Sequence, residues 1–238
     1  MITELVSFVS DGLTLRGVLH LPDQLPAPVA VGCHGLFADK ESPKQQALAL
    51  ACCDKGLAFF RFDHRGCGQS DGNFAAVTSL AARCRDLERA VETVSGQSKI
   101  LGLAALFGSS MGGAVVLASA RQWPGIRMVT VAAPLESEPV AAAVQLSDNS
   151  TARTLPPSFY DQALRFDISP AVMGLSNILL FHGEKDAVVP VEHARRIYDL
   201  CADPRELVIF PGGDHRVSDL RHQKVFLTKA VDWLTETV

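Results

Sequence analysis

The stretch Leu106-Phe107-Gly108-Ser109-Ser110-Met111-Gly112-Gly113 decides the fold of this chain. An uncharged apolar run over residues 100–107 enters this turn of glycine and serine, and a second apolar run leaves it toward Arg121. The pattern predicts a buried strand, a sharp turn and a buried helix. Written as Gly-x-Ser-x-Gly, the turn places Ser110 at the apex of a nucleophile elbow, where the backbone is strained and crowded.

The glycine spacing favours Ser110 over its neighbour Ser109 as the nucleophile. Only very small residues fit two positions before and after the serine of an elbow. Gly108 and Gly112 flank Ser110 in this way, whereas the same offsets around Ser109 reach bulky side chains. An ordinary glycine-rich connection is the alternative interpretation, but the apolar runs on both sides favour the elbow.

A membrane span over residues 100–120 is a second alternative, because this segment carries no charge. Four glycines and three serines interrupt it. The apolar run before the turn is also far shorter than the ~18 residues that a spanning helix needs. We therefore expect no membrane span.

Length and composition predict one globular domain over residues 1–238. The chain has 238 residues, of which 47% are hydrophobic and 20% are charged, and this composition argues against extensive disorder. The net charge of −4 and the absence of runs of Lys or Arg argue against a nucleic-acid surface. A small molecule is the expected partner.

The cysteines and the N-terminus indicate the cellular location and whether a metal site is expected. The six cysteines form no Cys-x-x-Cys pair and show no metal-ligand spacing, so we expect reduced thiols, no metal and no cofactor. The N-terminus lacks the basic and apolar regions of a secretory signal. The cytoplasm is the expected location.

Strand-like and helix-like segments alternate along the chain, which predicts an α/β fold with a mostly parallel eight-stranded sheet flanked by helices. The helix predicted over residues 77–94 has apolar residues at helical spacing, and its charged residues are expected to face solvent. The predicted strands cover residues 4–9, 13–20, 27–33, 57–62, 100–107, 126–132, 177–181 and 206–210, and the other helices cover 41–55, 191–200 and 220–234.

Residues 135–176 break this alternation. They contain Pro139, Pro156, Pro157 and Pro170, with short helical pieces predicted over 139–145 and 158–164. A long irregular insertion inside a compact domain is typical of a functional segment. We predict a lid over the edge of the sheet that holds Ser110; a surface excursion that contacts no substrate is the alternative.

Two residues that follow strand ends complete a candidate site with Ser110. Asp186 follows the strand predicted over 177–181, and His215 follows the last strand. Loops at the carboxyl ends of parallel strands meet at one edge of the sheet, so these residues can converge. A serine nucleophile needs a base and an acid that orients the base, and the order Ser, Asp, His suits this chemistry.

Other residues were candidates for related roles. Asp63 is an alternative acid, and Asp214 is interpreted as a turn former. His34 precedes a glycine at a strand end, which indicates a positioning role. The glycines near residues 66–72 lack the third glycine of a dinucleotide fingerprint, so nucleotide binding is rejected. The remaining histidines, expected to be structural or solvated, are His20, His64, His182, His193 and His222.

With these motifs the chain resembles the α/β-hydrolase family, in its serine aminopeptidase (S33) branch of monoacylglycerol-lipase-like and cinnamoyl-esterase-like enzymes. The resemblance implies Ser110 as nucleophile, His215 as general base and acid, and Asp186 as the residue that orients His215. It also implies an oxyanion hole of the backbone N–H groups of Leu36 and Met111, and a structural role for Asp63. It rests on the elbow, His34-Gly35, the run 61–70, His182-Gly183-Glu184-Lys185-Asp186 and Gly213-Asp214-His215.

The expected reaction is hydrolysis of carboxylic esters with small or medium acyl groups through an acyl-enzyme. A serine at the elbow argues against dehalogenase and epoxide hydrolase chemistry. Thioesterase, amidase or peptidase, lipase and acyltransferase activity stay open, as does a non-enzymatic binding protein on the same scaffold. The oligomeric state is also open, with a homodimer as one option. The expected lining of the substrate pocket is Phe37, Phe74, Phe159 and Tyr160.

Overall fold

The computed structural model describes residues 1–138, 155–156 and 158–236. Within these residues the chain forms an eight-stranded sheet in the order β1-β2-β4-β3-β5-β6-β7-β8. Strand β2 pairs antiparallel with β1 and β4, and the remaining neighbours are parallel. The strands are β1 (Ile2–Ser10), β2 (Leu13–Leu21), β3 (Ala27–Cys33), β4 (Ala58–Phe62), β5 (Ile100–Ser109), β6 (Arg127–Val131), β7 (Ile178–Gly183) and β8 (Arg205–Phe210).

Helices connect the parallel strands and cover both faces of the sheet. A 3-10 turn, Ala120–Gln122, extends the helix after β5, and a π-helical turn spans Phe159–Ala163. The helices are α1 (Pro43–Asp54), α2 (Phe74–Val77), α3 (Leu80–Ser95), α4 (Met111–Ser119), α5 (Ser169–Val172), α6 (Glu192–Leu200) and α7 (Leu220–Thr235).

The sheet is buried on both faces at its centre. Every residue of β4 and β7 is buried, whereas β1 at the edge keeps an exposed face. Continuous apolar strands of this kind need helices on both sides. On one face, residues of α3, α4 and α6 pack in one apolar cluster. On the other face, residues of α1 and α7 pack around Phe107 and Phe181.

The helix predicted over 77–94 differs from the structure in its start and in its charged face. Val77 ends α2, and α3 begins at Leu80, where Ser79 Oγ accepts a hydrogen bond from Ala82 N at 3.1 Å. The prediction that its charges face solvent is wrong for Arg83 and Asp86, which are both 0% exposed. Both side chains are buried because they bind loops at the carboxyl edge of the sheet, as described below.

The predicted lid, residues 135–176, lies partly outside the described residues. The short helix predicted over 139–145 lies outside the described residues. The piece predicted over 158–164 forms the π-helical turn, and the predicted positions of the eight strands agree with the structure. None of the helices in the described ranges combines the length and the apolar character that crossing a membrane requires.

Candidate active site

Ser110 occupies a strained turn between β5 and α4. Its backbone has φ 52° and ψ −122°, a conformation that costs a non-glycine residue about 1–3 kcal/mol. The surrounding glycines are required because the backbone is crowded. A Cβ at Gly108 would lie 2.3 Å from the carbonyl oxygen of Gly112, and one at Gly112 would lie 2.2 Å from that of Cys33. The glycine spacing around Ser110 therefore has the steric origin that the sequence indicates.

The side chains of Ser110, His215 and Asp186 form a hydrogen-bonded chain. Nδ1 of His215 lies 2.7 Å from Oδ2 of Asp186, and Nε2 lies 3.1 Å from Oγ of Ser110. An ionised carboxylate can only accept, so the ring proton sits on Nδ1. Nε2 is then free to accept the hydroxyl proton of Ser110. In this tautomer His215 can act as a base toward Ser110.

The carboxylate of Asp186 is held on both oxygens. Oδ1 accepts hydrogen bonds from the backbone N–H groups of Val188 and Val189, both at 2.8 Å, while Nε2 of His182 lies 3.3 Å from Oδ2. Burial raises the pKa of Asp186, but the hydrogen bonds from His182 and His215 outweigh it and hold the pKa below its usual range. Asp186 is therefore ionised across the neutral range.

The loop that carries His215 is positioned by the end of β7. A Cβ at Gly183 would lie 2.4 Å from the carbonyl oxygen of Gly213 and 2.5 Å from that of Asp214. The absence of a side chain at Gly183 thus lets the two loops touch. In addition, Lys185 N donates to Gly213 O at 2.8 Å. These contacts bring Asp186 and His215 together from separate strands.

The loop after β3 lies against the elbow. A Cβ at Gly35 would lie 3.5 Å from Cβ of Ser110, so Leu36 follows directly beside the serine. Within the described part of the chain, the backbone N–H groups of Leu36 and Met111 have no hydrogen-bond acceptor. Met111 opens α4, where backbone N–H groups have no partner inside the helix. Two free donors can stabilise a negative oxygen near Ser110.

A cavity of about 1050 Å³ opens at Ser110 and His215. Of the four aromatic residues expected to line it, Phe37 and Tyr160 do so. Phe74 and Phe159 are not among the lining residues; they pack against Phe37 and Tyr160, and their own rings are tilted with centroids 5.6 Å apart. The other apolar lining residues include Leu36, Met111, Leu164, Phe166, Val188 and Leu227, and the polar ones include Ser42, Lys44, Ser137, Arg216, Ser218, Gln223 and Lys224.

Comparison with known proteins identifies the family. The model of the family described as "Serine aminopeptidase, S33" matches residues 25–163, more than half of the chain. An uncharacterised protein of Escherichia coli O157:H7, YfhR, is 30% identical over 241 residues, covering 97% of this chain and 80% of that protein. This chain is an α/β-hydrolase of the serine aminopeptidase S33 family.

Further similarities place this hydrolase among esterase-like and lipase-like relatives. The monoacylglycerol lipase of Mycolicibacterium smegmatis is 25% identical over 254 residues and covers 90% of each chain. The structure of Est1E from Butyrivibrio proteoclasticus with ferulic acid bound has the same fold, with a TM-score of 0.77 and 19% identity. That similarity covers 95% of this chain and 96% of Est1E.

Arg83 of this hydrolase is a buried residue that sequence reasoning missed. Its guanidinium donates to the carbonyl oxygens of Gly35 at 3.2 Å and Leu36 at 3.0 Å. These bonds hold the loop beside Ser110 from the side opposite the cavity. The signal was present, because Arg83 lies at helical spacing between Leu80 and Leu87 and thus on the apolar face of α3.

Asp86, the second buried charge on α3, braces the neighbouring loop of the hydrolase. Its carboxylate accepts hydrogen bonds from Nε and Nη2 of Arg65 at 3.0 and 2.7 Å, and from the backbone N–H of Arg65. His64 N in turn donates to Nε2 of His34 at 3.0 Å. His34 therefore has the positioning role that its place before Gly35 indicated, since Nδ1 contacts the carbonyl oxygen of Gly35 at 2.7 Å.

The alternative acids have other partners in this hydrolase. Asp63 is fully buried and accepts hydrogen bonds from Lys40 N and Lys40 Nζ, both at 2.7 Å. Asp214 accepts from the backbone N–H and the hydroxyl of Ser218 at 2.8 and 2.7 Å, as a turn former does. Across residues 1–138, 155–156 and 158–236, no group of three or more His, Cys, Asp or Glu residues could hold a metal ion.

Proposed function

We propose that this hydrolase is a carboxylesterase that cleaves esters of small or medium acyl groups through a covalent acyl-enzyme on Ser110. The observation that carries the proposal is the chain of hydrogen bonds from Ser110 through His215 to Asp186, at 3.1 and 2.7 Å, beside an apolar cavity. A serine hydroxyl is a weak nucleophile unless a base takes its proton, and this arrangement supplies that base.

In the first half of the reaction, Ser110 Oγ attacks the ester carbonyl carbon while its proton passes to Nε2 of His215. Asp186 stabilises the imidazolium that forms, because its carboxylate stays ionised and bonded to Nδ1. The tetrahedral oxyanion accepts hydrogen bonds from the N–H groups of Leu36 and Met111. When it collapses, the C–O bond to the alcohol breaks, and the alcohol leaves with the proton from His215.

In the second half, water attacks the acyl-enzyme. His215 takes a proton from this water, the second oxyanion occupies the same two N–H groups, and the bond to Ser110 Oγ breaks. The carboxylic acid leaves, and the proton on His215 returns to Ser110. Losing one oxyanion donor typically costs about 3 kcal/mol of barrier, so the backbone of the Gly35-Leu36 loop contributes as much as a side chain.

The cavity has room for an ester with a small or medium acyl group. Its volume of about 1050 Å³ includes room for both halves of an ester. Phe37 and Tyr160 form part of its lining, and rings of Phe74 and Phe159 back them. Ester chemistry is also the activity that the name of the mycobacterial relative states for that protein.

We also propose that residues 135–176 form a lid on this cavity. Among its described residues, Tyr160, Leu164 and Phe166 line the cavity, and Phe159 and Tyr160 pack with Met111 of the elbow. A lid of this kind excludes water from the reacting ester. Leu164→Ala and Phe166→Ala, which remove side chains that line the cavity, test this on long and short esters, because a surface excursion that contacts no substrate would leave the ratio of the two rates unchanged.

The main experiment is release of p-nitrophenol from a series of esters from acetate to palmitate. We expect kcat/KM to be highest for an acyl chain shorter than palmitate. In Ser110→Ala we expect kcat/KM to fall by roughly 10⁴-fold or more. Ser109→Ala is the matched control, because Ser109 lies next to the nucleophile and does not contact His215; it should retain turnover. Activity that keeps rising to palmitate would contradict the acyl-size proposal.

The same experiment separates the alternatives. Faster cleavage of the matching thioester or anilide would move the proposal to a thioesterase or an amidase, and product ester formed in added alcohol would indicate acyl transfer. Absence of turnover on every substrate, together with no labelling of Ser110 by a fluorophosphonate, would indicate a binding protein.

Compartment and assembly are further proposals. The six cysteines are free thiols, which suits a reducing cytoplasm. Fractionation of cells that express the tagged chain tests this location. A homodimer stays a prediction that light scattering on the purified protein would measure.

A further inference from the structure

The cavity at Ser110 is lined by positively charged residues, although the chain as a whole is negatively charged. The chain as a whole has a net charge of −4. The described residues that line the cavity nevertheless include Lys44, Arg216 and Lys224, and none of them is Asp or Glu. A concave, partly apolar site with charge of one sign attracts ligands of the opposite sign.

The three cationic residues come from neighbouring elements on one side of the cavity. Lys44 is the second residue of α1, Lys224 lies in the first half of α7, and Arg216 directly follows His215. Helices α1 and α7 pack against each other on the same face of the sheet. We call these three residues the cationic wall.

An apolar part of the lining comes from other elements than the cationic wall. Leu36, Phe37, Tyr160, Leu164 and Val188 join Met111 in a single apolar cluster. The cavity therefore has an apolar wall and a cationic wall, and it contains Ser110 and His215. An ester that fills it needs an apolar part and a negatively charged part to satisfy both.

The cationic wall has no ion-paired carboxylate among the described residues. Among the described residues, none of Lys44, Arg216 and Lys224 forms an ion pair or a hydrogen bond, whereas Lys229 on the same helix α7 pairs with Glu206. The carboxylate of Asp214 attracts the ammonium group of Lys44 without forming an ion pair with it. Both oxygens of Asp214 accept hydrogen bonds from Ser218. Lys44 is half-buried.

The surroundings of Lys44 make an anion favourable there. Burial lowers the pKa of Lys44, Asp214 raises it, and the positive charge of Arg216 lowers it further. A partly buried ammonium without a carboxylate partner is an unfavourable arrangement on its own. A bound anion would compensate it, and would do so more strongly than at a fully exposed lysine.

We propose that the substrate is an ester that carries a carboxylate or phosphate group, held by Lys44, Arg216 and Lys224, with its apolar part against Phe37 and Tyr160. This inference rests on the proposed esterase function and adds the charge of the substrate. Either half of the ester can carry the anion, so the test examines each half separately.

Two matched pairs of substrates test it. The first pair is the mono-p-nitrophenyl ester of suberic acid and the same ester with its free carboxylate capped as a methyl ester, which places the charge on the acyl half. The second pair is acetylglycerol phosphate and monoacetylglycerol, which places a phosphate on the alcohol half. We expect kcat/KM to favour the anionic member of at least one pair by about tenfold, and added NaCl to reduce the preference.

Variants attribute the preference to the cationic wall. In Lys44→Gln and Lys224→Gln the ratio of anionic to neutral kcat/KM should fall by about threefold or more. Using the ratio within one variant removes any general loss of activity or folding. The matched control is Lys55→Gln, which removes one positive charge from the exposed opposite end of α1 and should keep the ratio of the wild type.

The outcomes separate this inference from the proposed function. Equal kcat/KM within both pairs, with ratios unchanged in the variants, would overturn the anionic substrate and leave the esterase intact. If no ester is cleaved, the esterase proposal fails, and calorimetry with sebacate on Ser110→Ala then decides the anion site. Binding that Lys44→Gln abolishes would support the site, and absence of binding would overturn it.

Discussion

Oδ2 of Asp186 lies 2.7 Å from Nδ1 of His215, although the two residues follow different strands of the sheet. The other carboxylate oxygen is held by two backbone N–H groups of its own loop. These contacts hold Asp186 in place without the help of His215. The ring of His215 therefore takes its orientation from an acceptor that is already positioned. This relationship determines which ring nitrogen faces Ser110 without a proton.

Replacing Asp186 with asparagine tests that relationship. In Asp186→Asn the amide oxygen can still accept from Val188 and Val189, while the amide N–H₂ would face Nδ1 of His215. The ring would then carry its proton on Nε2 and could not accept from Ser110. We expect kcat on p-nitrophenyl esters to fall by roughly 10⁴-fold with little change in melting temperature.

The control for this prediction is Asp214→Asn. Asp214 is adjacent to His215, and its carboxylate accepts hydrogen bonds from Ser218, so its variant should turn over neutral p-nitrophenyl esters at close to the wild-type rate. Equal losses in both variants would mean that Asp186 does not orient the base.

Arg83 supports the loop beside Ser110, and Arg83→Met removes its donors to the carbonyl oxygens of Gly35 and Leu36. The loop would lose its brace, and the N–H of Leu36 would move from the oxyanion. We expect kcat to fall about 10- to 100-fold with a smaller change in KM, as a partial loss of one oxyanion donor predicts.

Arg89→Met is the matched control for Arg83, since Arg89 lies on the same helix, is exposed and pairs with Glu92. It should leave kcat unchanged. Arg83→Lys should rescue little, because one ammonium group cannot reproduce the fork that reaches both carbonyl oxygens. Full activity in Arg83→Met would show that the loop holds its shape without this residue.

Gly112→Ala should prevent normal folding of the elbow. Its Cβ would lie 2.2 Å from the carbonyl oxygen of Cys33, and this neighbour is backbone of a central strand that cannot move aside. We expect a loss of about 3 kcal/mol or more in the free energy of unfolding, measured with urea, or insoluble protein.

Gly96→Ala provides the comparison for Gly112. The nearest atom to its Cβ would be the carbonyl oxygen of Glu92 at 3.4 Å, an ordinary contact, and its φ of −78° suits alanine. Its free energy of unfolding should stay within about 1 kcal/mol of the wild type. Similar stability of the two variants would contradict the steric account of the elbow.

Buried histidines predict that acid destabilises the fold. Burial lowers the pKa of His20 and of His64 from 6.5 to about 4, and it lowers that of His34 as well. Between pH 6.5 and 4 the unfolded chain therefore binds more protons than the folded chain, so the free energy of unfolding falls as the pH falls. His64 alone contributes on the order of 3 kcal/mol to this decrease.

The buried carboxylates do not contribute to the loss of stability between pH 6.5 and 4. The pKa of Asp86 and Asp186 is lowered in the folded protein, so the stability they contribute is present above pH 3.8 and is lost only below it. Urea unfolding at steps between pH 7 and pH 4 measures the slope, and His20→Gln should reduce it. A free energy of unfolding that is constant or rises toward pH 4 would contradict the prediction.

Part of the site could be predicted because its causes are local. The elbow is readable from Gly108 and Gly112, since the crowding that requires them lies within a few residues and across one neighbouring strand. Asp186 and His215 were predicted to approach Ser110 from the general rule that parallel strands end at one edge. The family model matches residues 25–163, which include the elbow.

Other features could not be predicted because they depend on contacts between distant segments. Arg83 lies on the apolar face of α3, but the loops that Arg83 and Asp86 bind could not be predicted, because they are distant along the chain. Phe74 and Phe159 are aromatic residues near the cavity, but only packing decides that they lie against Phe37 and Tyr160 and do not line it. His182 contacts Asp186 because β7 and the following loop fold back on each other.

The order of apolar strands, glycine turns and polar loop residues by itself determined the fold class and the elbow, because hydrophobic periodicity and backbone sterics act over short distances. It also indicated which three residues meet at the elbow, because the loops after parallel strands lie at one edge of the sheet. The tertiary structure alone decided which charges are buried, which aromatic rings reach the cavity, and that Lys44, Arg216 and Lys224 share one wall. These outcomes depend on how α1, α3 and α7 pack on the sheet, and burial and pairing of a charge are properties of the packed molecule.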